Sequence, residues 1–67
     1  MGRSPEEIEA KAQEIYDLAK ASSTPLSVLS LENRNLTKET GWELEDVERV
    51  SGYVMEMLIR HGWRQRP

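Results

Sequence analysis

The sequence has no cysteine, no phenylalanine and one histidine, His61, and no apolar run approaches the roughly eighteen residues that a membrane span needs. Without thiolates and with one imidazole, the chain lacks the usual ligand set for zinc and has no thiol nucleophile. The missing cysteines also exclude disulfide staples, so packed helices must hold the fold together; they leave the redox compartment open. The start Met1-Gly2-Arg3-Ser4-Pro5-Glu6-Glu7 has no apolar stretch of the signal-peptide kind, and the chain is expected to be soluble and untargeted. Glycine is sparse, and Gly2, Gly41, Gly52 and Gly62 match neither the dinucleotide nor the P-loop spacing. Carboxylates are plentiful, but Glu43, Glu45, Asp46 and Glu48 read as a solvated helix face rather than an acid/base pair. His61 reads as a helix C-terminal residue that complements the dipole. A non-enzyme is expected, with no metal, cofactor or small-molecule substrate.

What remains is one small domain of 67 residues. Its 37% apolar content, about twenty-five side chains, can close one thin core. Nine basic against twelve acidic residues give a net charge of −3, which as a total speaks against nucleic acid as a partner.

Ser4-Pro5-Glu6-Glu7 is a helix start: Ser4 can cap the amides, Pro5 takes the first turn and Glu7 completes a capping box. Ile8, Ala12, Ile15 and Ala19 recur at helical spacing, with Leu18 beside them, which predicts a first helix over 5–21. Ser22-Ser23-Thr24-Pro25 should break it and start a second helix by the same cap-plus-proline device. That helix runs over 24–34 through Leu26, Val28, Leu29 and Leu31. It either stops at Asn33-Arg34-Asn35, leaving a further turn at Leu36–Thr40, or runs on to about residue 40, with Gly41 the candidate to close it. Leu44, Val47, Val50, Val54 and Leu58 follow the spacing of one buried stripe, flanked by Met55, Met57 and Ile59, and predict a third helix over 43–61 ended by Gly62. Ser51 and Gly52 could let another helix approach closely. No strand pattern appears, so the expected fold is all-α: a compact three-helix bundle, or four-helix if the second helix breaks, containing a helix-turn-helix.

The second helix differs in character from the other two. At 100° per residue Ser27, Ser30 and Arg34 share one side, while Val28, Leu29 and Leu36 share the other. Arg can make a two-pronged contact with guanine, Ser can bond a base edge or a phosphate, and Leu31 can touch a thymine methyl. Thr24, Asn33, Asn35, Thr37 and Lys38 surround this side with neutral or positive groups suited to phosphates. A helix chosen only for stability would carry Glu, Lys, Gln and Ala at exposed positions, as the first helix does. The acids are concentrated from Glu39 to Glu56, so the negative total belongs to the third helix, and the second helix is neutral to basic.

The segment Tyr16-Asp17-Leu18-Ala19-Lys20-Ala21, a short turn, Ser27-Val28 and the later Leu58-Ile59-Arg60-His61-Gly62-Trp63 resemble the DNA-binding headpiece of the LacI-type repressors. That family has a Tyr-Asp-Val-Ala first helix, a Thr-Val-Ser recognition helix and a third helix closing at Leu-Gly-Tyr. Here Ser22 or Ser23 stands where that family has its turn glycine. In a second register, Leu36-Thr37-Lys38-Glu39-Thr40-Gly41-Trp42-Glu43-Leu44-Glu45-Asp46-Val47 resembles the helix-turn-helix of winged-helix regulators. Its reading helix would expose Glu45, Asp46 and Arg49, an acidic face that DNA phosphates repel. The idealised opening Ser-Pro-Glu-Glu-Ile-Glu-Ala-Lys-Ala, echoed by Thr24-Pro25, resembles de novo designed helix-turn-helix DNA-binding proteins.

These readings lead to the expectation of a monomer that binds double-stranded DNA through residues 24–35. Ser27, Ser30, Arg34 and Leu31 would meet base edges, and Thr24, Asn33, Asn35, Thr37 and Lys38 would meet phosphates. The tail arginines Arg60, Arg64 and Arg66 would serve as further phosphate contacts or as solvated ends. The alternative expectation is a helical protein-interaction or purely structural module, using the region of Tyr53, Met57 and Trp63 as a partner patch.

Overall fold

The computed structural model describes residues 2–61, and within them the chain is an all-α three-helix bundle. The helices are α1 (Pro5–Lys20), α2 (Pro25–Lys38) and α3 (Leu44–Arg60). Gly62, Trp63, Arg64 and Arg66, expected to end the third helix, cover the core edge and extend the basic tail, lie outside the described residues. No helix among the described residues is long and apolar enough to cross a membrane.

α1 starts as its local sequence dictates. The Ser4 hydroxyl accepts from Glu7 N at 3.2 Å, and the Glu7 carboxylate accepts from Ser4 N at 3.3 Å, closing the capping box with Pro5 in the first turn. The Arg3 guanidinium, 2.8 Å from Glu7, and the Ser4 amide hold the Glu7 carboxyl below its ordinary range. The associated stabilisation is present above the unfolded carboxylate pKa and is lost as the pH falls through the lowered folded value; exposure keeps it small.

The core is built from one stripe per helix. Ile8, Ala12, Ile15, Tyr16 and Ala19 of α1 meet Val47, Val50, Val54 and Leu58 of α3, and α2 adds Leu29 and Leu36. Trp42, Met55 and Met57 pack against this cluster, half-buried. Tyr16 is 5.7 Å from the ring of His61, the C-cap residue of α3, so His61 sits at the helix end as expected.

Tertiary contacts decide or correct several local expectations. Of the two courses open to α2 the unbroken one holds: the helix passes through Asn33-Arg34-Asn35 to Lys38 and carries Leu36 into the core, where it is 2% exposed. Gly41 does not cap α2. The C-cap is Glu39 with extended backbone, and Gly41, at φ 92, turns the chain two residues later toward α3. The Thr24 side chain makes no capping bond to α2; Ser22 Oγ accepts from Thr24 N at 3.0 Å and lies 3.3 Å from Thr24 Oγ1. Leu44, expected in the buried stripe, is 65% exposed: it is the first residue of α3, and Trp42 just before it packs against the core.

Asp46 is the largest correction. Far from belonging to a solvated face, it is 3% exposed. Its carboxylate accepts from Arg3 N and from Glu43 N, each at 3.2 Å, tying the chain start to the start of α3. Arg3 then reaches over the α2–α3 loop: its Nε donates to Gly41 O at 2.9 Å, and its guanidinium lies 4.6 Å from the Trp42 ring centre.

Asp46→Ala strands two amides and should cost about 1–3 kcal/mol. The check is a lower urea midpoint at unchanged m, and a loss under about 0.5 kcal/mol would mean that water satisfies both amides. Gly52 behaves oppositely: it lies inside α3, and a Cβ added there would have no neighbour within 4 Å. Gly52→Ala should therefore stabilise the dilute protein by about 1 kcal/mol, raising the melting temperature by several degrees.

Candidate nucleic-acid interface

α2 is held by few side chains: Pro25, Leu29 and Leu36 are its buried residues. Val28, Glu32 and Asn33 are half-buried, and the other residues of the helix are exposed. Ser27, Ser30, Leu31, Arg34 and Lys38 are all exposed and share the outer side, with Leu31 at 53%. The single acid of α2, Glu32, is half-buried, and its spacing of two residues from Arg34 puts it on the other flank.

The pairing of cations separates this face from the rest of the molecule. Arg3 pairs with Glu7, Lys11 with Glu14, Lys20 with Asp17, Arg49 with Glu45 and Arg60 with Glu56. Among the described residues, Arg34 and Lys38 are the cations without a carboxylate partner. Both stand one turn apart on the outer side of α2, so their donors are open to an anionic ligand.

The helix termini differ in the same sense. α1 begins with Glu6 and Glu7 in its first turn and α3 with Glu45 and Asp46, whereas α2 has no acid there. The positive end of the α2 dipole is left without a neutralising carboxylate in its own first turn.

The expected phosphate group divides. Thr24 and Asn35 are exposed near the two ends of the helix, and Lys38 extends the line set by Arg34. Asn33 turns inward instead: its Nδ2 donates to Ser51 Oγ at 3.1 Å, across to α3, and its Oδ1 is buried without a hydrogen-bond partner. The Thr37 hydroxyl points back along the helix toward Asn33 O at 2.7 Å and Arg34 O at 2.9 Å, which commits its one proton internally. The structure thus brings Ser27, Ser30, Leu31, Arg34 and Lys38 together, keeps Thr24 and Asn35 at the margins, and gives Asn33 and Thr37 bonds within the protein.

Sequence reasoning missed the Asn33–Ser51 bond, although both residues lie at the edges of their helices' apolar stripes, where a polar cross-contact can form. It also gave the acidic register no buried member, while Asp46 lies under the chain start and leaves Glu45 and Arg49 as that register's exposed residues. No group of His, Cys, Asp and Glu able to hold a metal occurs among the described residues.

In comparisons with known proteins the chain matches no protein-family model, no curated protein and no solved structure.

Removing Ser51 alone should leave both polar ends of the Asn33 amide unsatisfied. Ser51→Ala is expected to cost about 1–3 kcal/mol, and adding Asn33→Ala should recover part of that loss. A double-mutant cycle in urea measures the coupling, and strictly additive losses would show that the two side chains act independently.

Proposed function

We propose that the chain binds double-stranded DNA, with α2 as the recognition helix lying in the major groove. The observation that carries this reading is the exposed, unpaired couple Arg34 and Lys38, set beside two small hydroxyl residues on a helix otherwise held by little burial. The four-residue connection 21–24 between α1 and α2 fits a helix-turn-helix, in which the first helix crosses the backbone and the second enters the groove.

The dimensions and chemistry support the assignment of roles. Fourteen residues make a helix about 21 Å long, and the groove is roughly 12 Å wide, enough for one helix with small side chains toward the floor. Ser27 and Ser30 let the backbone come close and offer hydroxyls to base edges. Arg34 forks onto a guanine, and Leu31 meets a thymine methyl. Lys38, Thr24 and Asn35 contact phosphates and fix the register, while the acid-free first turn of α2 offers its amides to one more. Asn33 and Thr37, expected among the phosphate contacts, serve better as supports that brace α2 against α3 and along its own backbone.

The ideal caps of α1 beside the poorer helix formers of α2 also support a designed DNA-binding scaffold, in which one helix is chosen for contact. Net charge sets the strength. With few cations on the reading face, the electrostatic part of binding is small, and log K should fall with log salt at a slope of about −2.

Selection from a randomised duplex pool at low and moderate salt tests the reading. Arg34→Ala should cost about 1–3 kcal/mol on the selected site and relax preference at one base pair. Lys38→Ala should weaken all duplexes alike and flatten the salt slope by about one. A pool that shows no enrichment would sink the reading, and identical losses on every duplex for both variants would overturn the division of roles.

A further inference from the structure

The outward side of α3 carries alternating charges around a glycine. Glu45, Arg49, Gly52, Tyr53, Glu56 and Arg60 are all exposed. At 100° per residue they fall within an arc of about 100°, on the side away from Val50, Val54 and Leu58. A shallow hollow of about 400 Å³ lies over Gly52, lined by Arg49, Gly52, Tyr53 and Glu56. Within one chain no neighbour crowds Gly52, and Tyr53, which also borders α1 at Glu9, Ala12 and Gln13, keeps 42% of its surface exposed.

The order of charges along this stripe is acid, base, glycine, acid, base. Read in reverse, every sign changes. A two-fold axis passing between Gly52 and Tyr53 therefore brings Glu45 against Arg60 of a second copy, Arg49 against Glu56, and Gly52 against Tyr53, each contact occurring twice. A parallel copy in register would set like charge on like charge throughout, so the pattern specifies the antiparallel orientation.

We infer that the outer face of α3 is a self-docking surface for a second copy of this chain, packed antiparallel, with Tyr53 of each copy in the hollow over Gly52 of the other. Gly52 has the role that a missing Cβ has at close helix crossings: it lets the second backbone and ring approach. The ion pairs already made within α3, Glu45 with Arg49 and Glu56 with Arg60, become a network across the two helices. Their contribution is mainly register, since exposed pairs add little affinity. A seventeen-residue helix is only about 25 Å long, so one such pair buries less than the roughly 1,200 Å² of a stable complex. The association is weak and reversible, a concentration-dependent equilibrium in which the expected monomer is the form present at low concentration. It uses a different helix from the one proposed to read DNA and stands independently of that reading.

Sedimentation equilibrium of the full chain without DNA, at low salt and from about 10 μM to about 1 mM, tests it. The average mass should climb from the 7.7 kDa of one chain toward twice that value. The variant Glu45→Arg/Glu56→Arg should stay single, as should Arg49→Glu/Arg60→Glu, because each sets like charges together. Their equimolar mixture should pair again, since every cross-contact is then opposite in sign, a gain that unfolded variants could not produce. Gly52→Gln, checked for helicity by circular dichroism, fills the hollow and should weaken both the parent association and the mixed pairing by about tenfold or more. A parent chain that stays single up to the highest concentration overturns the inference. So does a mixture that fails to pair, or pairing that Gly52→Gln leaves intact.

Discussion

A buried carboxylate must be met by donors, and in this molecule that requirement falls on Asp46. Its donors are backbone amides from two separate parts of the chain, Arg3 and Glu43, so satisfying it fixes the chain start and the start of α3 in one step. The remaining details at that end follow in order. Residue 2 has no room for a side chain, since a Cβ on Gly2 would stand 2.8 Å from the Asp46 Oδ1. Arg3, once placed, covers Trp42 and bonds the carbonyl of Gly41. Gly41 in turn is favoured as glycine by its positive φ, and a Cβ there would meet the Arg3 guanidinium at 2.7 Å and push that side chain aside.

That dependence explains which parts of the fold are legible in the sequence. The start of α1 is readable because Ser4, Pro5 and Glu7 interact within one turn, and the α3 stripe is readable because Val47, Val50, Val54 and Leu58 keep a helical period. The same local signals give the all-α class and leave the count at three or four helices. Asp46 is not readable, since the donor at Arg3 lies 43 positions away and nothing in the run Glu43-Leu44-Glu45-Asp46 singles out one acid as buried. The continuity of α2 is hidden for a related reason: Asn33-Arg34-Asn35 is a poor helical stretch, and the demand for Leu36 in the core overrides it. Within the candidate interface, the wheel of α2 identifies Ser27, Ser30, Leu31, Arg34 and Lys38 as one face. It does not reveal that Ser51 of α3 takes the amide of Asn33, or that Thr37 turns its hydroxyl onto the helix.

The three helices divide the demands on a small domain. α1 and α3 carry acidic first turns, intrahelical ion pairs and most of the buried apolar surface. α2 has an N-terminus without a side-chain cap and two cations without acids. In a chain whose net stability is a small difference between large terms, such departures from the optimum are tolerable on one helix only when the others are well made.

The sparse burial of α2 bears on motion as well as on contact. Its buried side chains stand at residues 25, 29 and 36, and the gap between the last two is bridged by the polar contact of Asn33 with Ser51. Fewer buried side chains hold α2 than hold α1 or α3, so of the three helices α2 is the one expected to open locally at the lowest free energy. A ligand lying along it would quiet fluctuations that the free protein permits. Part of its binding free energy would be spent on ordering, and that ordering would be felt at Ser51, on the helix behind.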